Sequence, residues 1–237
     1  MIMKNMILKT NLHFHASNDE KSARYDIYKG IDCAKNYGFD VLAYTPHRKF
    51  LFRKEYSDYA QSKGILLIPG IEMEIKRKHI VVLNCDKEIE SVKIFPELAN
   101  YKNKNPRVLI LAPHPYVFSP KSLKSKLLEN IDLFDAIEMT IFSNKLFNFN
   151  KKAQKIAEKH NKPFIATSDT HFLKILERGY ALIDAKEKTA ESIIIAIKNK
   201  NFQNKMDSLN PFEMLKHQIK GGLNVIFSPA KRKNSAI

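Results

Sequence analysis

A single α/β barrel-like domain is the fold the sequence predicts, with an open doubly wound sheet as its rival. Three observations lead there. The 237-residue chain is 44% hydrophobic, which is ample for one packed core. Short apolar runs alternate with longer amphipathic stretches, the pattern of βα units around a parallel sheet. Histidines and carboxylates recur just past the ends of successive predicted strands, where a parallel barrel would gather them at one mouth.

The first strand is read at Met6 to Phe14, since the apolar stretch at the amino terminus is too short for a secretory signal and soon gives way to histidines. A helix is expected from Ser22 to Tyr37, with Ile27, Ile31, Ala34 and Tyr37 at three- and four-residue spacing and Gly38 as its C-cap. Strands follow at Asp40 to Thr45, Ile65 to Met73, Ile80 to Asn84, Arg107 to Ala112 and Ala136 to Met139. Phe149 to His160 reads as a helix capped by Asn148 or Asn150, and strands are expected at Pro163 to Thr167 and Tyr180 to Ile183. Thr189 caps a last helix to Asn199, whose apolar stripe is Ile193, Ile194 and Ile197. From Lys200 the pattern weakens. Residues 1–200 are therefore read as the domain and 201–237 as an extension packed on it or trailing from it. A frayed tail with a docked segment at Leu223 to Phe227 is favoured over a nucleic-acid arm, despite the basic run Lys231-Arg232-Lys233.

Composition excludes several classes. This much apolar content rules out wholesale disorder, and Cys33 and Cys85 cannot build a disulfide scaffold or a Cys-x-x-Cys zinc site. A reducing cytoplasm is the expected compartment. Apolar runs such as Gly64 to Ile71 and Val108 to Ala112 fall far short of the ~20 residues that span a bilayer, so no membrane association is expected. Forty Lys plus Arg against 25 Asp plus Glu give a net charge of +15, which attracts phosphate-bearing partners but also fits a plain bias toward lysine.

Six of the eight histidines are placed to face one site. His13 and His15 leave the same face of the first strand. His47, His114, Asp169 and His171 follow strand ends, Glu72 closes Leu66-Leu-Ile-Pro-Gly-Ile, and His79 opens the next strand, whereas His160 and His217 lie elsewhere. A mixture of imidazole and carboxylate without thiolate suits Zn²⁺, Mn²⁺ or Fe²⁺. A carboxylate such as Glu72 or Asp169 is able to bridge two ions, with a hydroxide held between them for hydrolysis.

In order along the chain, Asn11-Leu-His-Phe-His15, Tyr44-Thr-Pro-His47, Pro69-Gly-Ile-Glu72, His79, Ala112-Pro-His-Pro115, Ile137-Glu138 and Thr167-Ser-Asp-Thr-His171 resemble the polymerase and histidinol phosphatase (PHP) superfamily of metal-dependent phosphoesterases. The resemblance spans roughly residues 6–200. It implies a distorted (β/α)7 barrel with two or three divalent ions at the carboxyl ends of the strands. Carried over by position, His13, His15, Glu72 and Asp169 would hold the first ion, Glu72, His79 and His114 the second, and Asp19, His47 and His171 the third. The spacing of Asp19 from His15 is one residue shorter than the family pattern. Asn11 stands where relatives usually carry Asp, and Pro46 where they often carry Asp, changes that would act on ligand orientation and metal affinity rather than on ligation itself. Glu138 is expected to support rather than ligate.

The expected reaction is attack on phosphorus by a metal-bridging hydroxide, with Glu72, Asp169 and His171 at the catalytic centre and no protein nucleophile. Arg48 is the leading candidate to grip substrate phosphate; Arg53, Lys174 and Arg178 read rather as surface cations. A phosphomonoesterase acting on a phosphorylated small molecule is the first reading. A nuclease acting on single-stranded DNA or RNA ends is the alternative, and a metal-binding module without turnover a third that the full ligand set disfavours. No obligate protein partner is evident. Tyr116, Phe118, Phe142, Phe147, Phe149, Phe50 and Phe52 lie in segments near the expected mouth, and most are assigned to the core. The short link from Glu72 to His79 leaves little room for a lid and points to an open cleft.

Overall fold

The computed structural model describes residues 5–17, 23–214 and 216. The expected tail segment at Leu223 to Phe227, the basic run after it and Asp19 lie outside them. One sheet of nine strands runs in the order β7-β6-β5-β4-β3-β2-β1-β8-β9. In sequence the elements are β1 (Met6–Phe14), α1 (Ile27–Asn36), β2 (Val41–Tyr44), α2 (Lys54–Ser62), β3 (Leu66–Ile75), β4 (Lys78–Leu83), α3 (Phe95–Lys104), β5 (Leu109–Ala112), α4 (Ser125–Glu129), β6 (Ala136–Thr140), α5 (Asn150–Lys159), β7 (Phe164–Thr167), β8 (Gly179–Ala185), α6 (Ala190–Lys198) and β9 (Phe202–Met206).

Local chemistry sets the element ends. Helix α1 begins five residues later than the apolar spacing predicts, because Asp26 caps it by accepting from the Lys29 N–H at 2.9 Å. It ends at Gly38, whose φ of +72° is cheap only for glycine. Asn148 caps α5 through the Lys151 N–H, while Asn150 ties the helix start to both backbone groups of Thr140 at the end of β6. Thr189 caps α6 as expected. The strand β9 was not legible from the apolar pattern: it alternates half-buried and exposed residues along the outside edge of β8.

Strands β1, β2 and β3 are mutually parallel, as are β5, β6 and β7. Strand β4 runs against both of its neighbours and β8 runs against β1. The six like-directed strands thus share one carboxyl end. The sheet curls until its two sides meet. His15 N–H donates to Thr170 O and Thr170 N–H to His13 O, each at 3.2 Å, so the chain leaving β7 pairs with the end of β1. From β9, the Asn204 side chain accepts from Ala166 N–H and donates to Phe164 O, both at 2.8 Å, substituting for a missing strand pair along β7. Gly179 allows this closure, since a Cβ there would stand 2.3 Å from Thr167 O. This is the distorted barrel the sequence predicts rather than the open doubly wound sheet, although the reversed β4 and β8 keep it from dividing into seven plain βα units.

Residue parity sorts the layers. Leu8, Leu12, Val41, Ala43, Ile68, Val81, Leu111 and Ile165 fill the interior, where α6 also contributes Ile193 and Ile197. Intervening residues such as Leu42, Tyr44 and Leu67 pack outward with α1 and α2, while Ile80, Val82 and Ile110 do so with α3. Among the described residues no helix is long and apolar enough to cross a membrane.

Candidate metal centre

Toward the shared carboxyl end, interior positions change from apolar to polar within β3 and β6, and just past the strand ends elsewhere. On β3 the inward parity runs Ile68, Gly70, Glu72, Glu74, and on β6 it runs Ala136, Glu138. Strand β1 needs a further device. Leu12 belongs to the interior and Phe14 to the outer layer, and a register shift between Asn11 and Phe14 turns His13 and His15 inward as well. The antiparallel direction of β4 explains His79. It opens its strand instead of closing it, and the tight turn at Lys76 and Arg77, with φ of 50° and 63°, places it opposite Glu74 and near Glu72. Left-handed backbone at His114 (φ 28°), Asp169 (φ 46°) and Arg48 (φ 63°) marks three strand exits at or beside expected ligands.

Glu72 is at the centre, 1% exposed. Its Oε2 lies 3.6 Å from His13 Nε2, 3.5 Å from His15 Nε2 and 2.9 Å from His47 Nε2. Its Oε1 lies 2.7 Å from His79 Nδ1 and 3.1 Å from His114 Nε2. Asp169 Oδ1 is 3.6 Å from His13 Nε2 and 3.2 Å from His15 Nε2. Donor atoms about 2.1 Å from one ion stand about 3.4 Å apart at the corners of a tetrahedron. The four spacings of 3.2–3.6 Å from His13 and His15 to Asp169 and Glu72 match four of the six edges of such a cage. His13 Nε2 and Asp169 Oδ1 are buried without a hydrogen-bond partner among the described residues, as donor atoms for a cation would be. His15, His47 and His171 also present nitrogens within 4.8 Å of one another.

Charge and support fit the same use. Burial disfavours a charged His13, but Asp169, Glu72 and Glu138 outweigh it and hold its pKa well above 6.5. Burial likewise opposes charge on His114, where Glu72 raises the pKa. The carboxyls of Glu72 and Asp169 are pushed up by burial, yet the surrounding histidines hold both well below their ordinary range. Glu138, fully buried, sits 2.9 Å from His13 Nδ1 and so fixes that ring with Nε2 toward Glu72 and Asp169. This contact fits the supporting role expected of Glu138, while its Oε1 is buried without a hydrogen-bond partner among the described residues. Among the described residues, the hydrogen bonds of the Asn11 side chain go to no donor side chain of the cluster. Its amide accepts from His13 N–H and donates to Ser168 Oγ, Leu176 O and Gly179 O, and a carboxylate could not make those donations. Pro46 keeps its carbonyl for the Glu72 N–H, at 3.0 Å.

Other expected residues fall differently. Asp19 lies outside the described residues. His47 lies against Glu72 and His79 as well as against His15 and His171, and so joins groups that the family pattern separates. Arg48 is largely exposed and donates to Glu74 Oε1 at 3.0 Å. Arg53 is an exposed side chain 3.7 Å from Glu55. Arg178 binds Asp207, Glu213 and Ser208 O, which commits it to anchoring the chain after β9. Lys174 lines a cavity of about 80 Å³ with Phe172 and Leu209. Sequence reasoning missed Glu74, which stands 3.5 Å from His79 Nε2 and binds Lys121. Its signal was available in the inward parity shared with Glu72. Burial opposes its charge, but Lys121 and Arg48 hold its pKa down at about 2.

Against this geometry, a PHP-associated family model matches residues 147–202. Among solved structures, the chain is similar to a two-domain protein from Bacteroides vulgatus containing a predicted PHP-like metal-dependent phosphoesterase. The TM-score is 0.66 and the identity 18%, over 92% of this chain and 70% of that one. It is also similar to PsfC from Pseudomonas syringae, with a TM-score of 0.62 and 16% identity over 94% of this chain and 100% of the other. A candidate metal-dependent phosphoesterase from Bifidobacterium adolescentis aligns at a TM-score of 0.50 and 11% identity, over 69% and 87%. No curated protein sequence matches. The family model and the shared fold support the PHP superfamily resemblance carried by the motifs.

Proposed function

We propose that this PHP-like chain is a metal-dependent hydrolase of phosphate esters, working in the cytoplasm with two or three divalent ions of Zn²⁺, Mn²⁺ or Fe²⁺. One observation carries the reading: a fully buried carboxylate, Glu72, turns each of its oxygens to a different set of histidines. An isolated carboxylate is too costly to bury this deeply, and one able to serve two cations gains from the position. Divalent ions bound there would supply activated water and charge neutralisation at a phosphoryl oxygen. His13, His15 and Asp169 with Glu72 would hold one ion, and His79 and His114 with Glu72 another. His47 and His171 would complete a third group with Asp19. Glu138 keeps the His13 ring in its required tautomer. Arg48 rotated away from Glu74 would meet an entering phosphate.

A small phosphomonoester is the simplest substrate for such a centre. An exonuclease reading is favoured by one observation, the exposed rings of Phe118 and Phe147 in the loops beyond β5 and β6. The test is to strip the protein with chelator, reload it with Mn²⁺, and follow p-nitrophenyl phosphate hydrolysis together with the product masses from a terminally phosphorylated single-stranded oligonucleotide. Loss of terminal phosphate alone supports the monoesterase, and stepwise shortening supports the nuclease. Binding of less than about one metal ion per chain, or turnover indifferent to chelation, would overturn the reading.

A further inference from the structure

The loops that leave β5 and β6 rise from the carboxyl end where the histidines gather. The first starts at His114, and Phe118 lies four residues on, so its Cα is at most about 14 Å away along the chain. In the second, Phe147 and Phe149 precede α5. The two loops meet through their rings: Phe118 packs edge-on against Phe149 at 4.8 Å between centroids, and Phe147 lies nearly parallel to Phe149 at 6.4 Å. Phe149, like Phe142, packs against the cluster of Ile141, Ile175, Leu209 and Met214. Phe50, Phe52, Tyr116, Phe142 and Phe149 pack against the core, as expected for most of these rings, whereas Phe118 is 73% exposed and Phe147 46%. Large apolar rings held open at the rim of a polar site mark a binding surface.

Charge selects the occupant. Residues 115–128 contain three lysines and residues 139–157 four, with no Asp or Glu in either stretch. Of these seven, Lys124, Lys145, Lys151, Lys152 and Lys155 are exposed, with Lys152 4.5 Å from the Tyr116 ring centroid, while Lys121 and Lys126 pair with Glu74 and Glu129. Aromatic faces set among cations bind single-stranded nucleic acid, with bases stacking on rings and phosphates drawn to lysines. Because Phe118 and Phe149 stand at 78° to each other, they suit bases free to turn independently rather than a stacked duplex.

We infer that Phe118, Phe147 and Phe149 form a stacking platform that holds the bases of a single-stranded oligonucleotide while its terminal phosphate enters the histidine cluster. This rests on the phosphoesterase reading and names the substrate class for it. The test is fluorescence anisotropy of a short labelled oligothymidylate with the full chain in chelator, comparing wild type with the Phe118→Ala, Phe147→Ala double variant and with Phe118→Trp. The alanine variant should bind at least about tenfold more weakly; the Trp variant should retain binding, and inorganic polyphosphate should bind all three alike. Thermal melting and metal stoichiometry check that the variants fold. Unchanged oligothymidylate binding in the alanine variant, or an equal loss toward polyphosphate, would overturn the platform. So would a wild-type dimer that the alanine substitutions dissolve, since the rings would then join two copies. Wild type that hydrolyses p-nitrophenyl phosphate but ignores oligothymidylate loses the platform and keeps the phosphoesterase. Wild type that binds oligothymidylate but hydrolyses no phosphate ester keeps the platform and loses the phosphoesterase.

Discussion

The two halves of the barrel interior are built on the same strands and do opposite work. Toward the amino ends, Leu8, Val41, Ala43, Leu83, Leu109 and Leu111 fill the space with no polar atom to satisfy. Toward the carboxyl ends the inward positions carry Glu72, Glu138 and Asp169, and the register shift in β1 adds His13 and His15, all buried and all costly to desolvate. One half supplies folding free energy and the other draws on it. The pleat is indifferent to which residue occupies an inward position, so a fold can gather polar side chains from several strands in one layer once the layer beneath is stable enough.

Substitutions in the two halves should therefore have crossed effects. Replacing His13 and His15 together by Ala should reduce metal-dependent phosphate ester hydrolysis to background, because both nitrogens of one cage are lost. At pH 9, where rising pH has removed the charge pairing that the histidines add below pH 6.5, the same change should leave the melting temperature of chelated protein about equal. Leu111→Ala, in the apolar half, should lower stability by about 2–5 kcal/mol while the folded fraction keeps its turnover and metal content. Denaturant melts and metal analysis of both variants decide it. If the histidine variant is the strongly destabilised one, or Leu111→Ala loses metal while folded, the division of labour is wrong.

A finer test lies within the polar half. Glu138 touches His13 on the side away from Glu72 and Asp169, so Glu138→Gln should keep the fold and weaken metal binding by about 10- to 100-fold. Competition with a chromophoric chelator measures this directly. Loss of all metal would make Glu138 a ligand rather than a support, and no loss would mean that the ring holds its orientation unaided.

Much of this was legible because each half writes its own signal. Alternation of apolar residues gave the eight strands β1 to β8 nearly to their ends, and the strand-end histidines gave the layer above. What was missed follows from the same physics. Strand β9 packs at an edge with its residues half exposed, so no apolar period announces it. The direction of β4 depends on a two-residue turn at Lys76 and Arg77, non-glycine residues at positive φ. His79 was located correctly in sequence, but its route to Glu72 became clear only with that reversal. Which of the seven rings near the mouth would stay exposed, Phe118 and Phe147, was not legible, because composition cannot distinguish a ring that packs from a ring that does not. Asp19 lies outside the described residues, so of the proposed third group only His47 and His171 are described, and they lie together with His15.

The smallest effect expected is one of pH on chelated protein, and its sign separates the halves again. His13 and His114 have folded pKa values raised above 6.5, so the stability they add is complete below 6.5 and is lost as pH rises through the raised values. Glu72 and Asp169 are depressed, so their contribution is present above their unfolded values of 4.5 and 3.8 and is lost only as pH falls through the lowered ones. Without metal, both contributions are complete between about pH 4.5 and 6.5, and melting temperature should decline from there toward pH 9. Lysine and arginine keep their charge over that interval, so the +15 background is constant and the decline belongs to the histidines. Bound metal should reverse the trend, because protons and cations compete for the same nitrogens. Melts at both pH values, with chelator and with Mn²⁺, test this, and Glu138→Gln should flatten the chelated slope by removing one of the charges that raise His13. A chelated melting temperature that stays level or climbs toward pH 9 would mean that the histidines are neutral in the empty site, and that the polar half costs less to maintain than the burial of Glu72 implies.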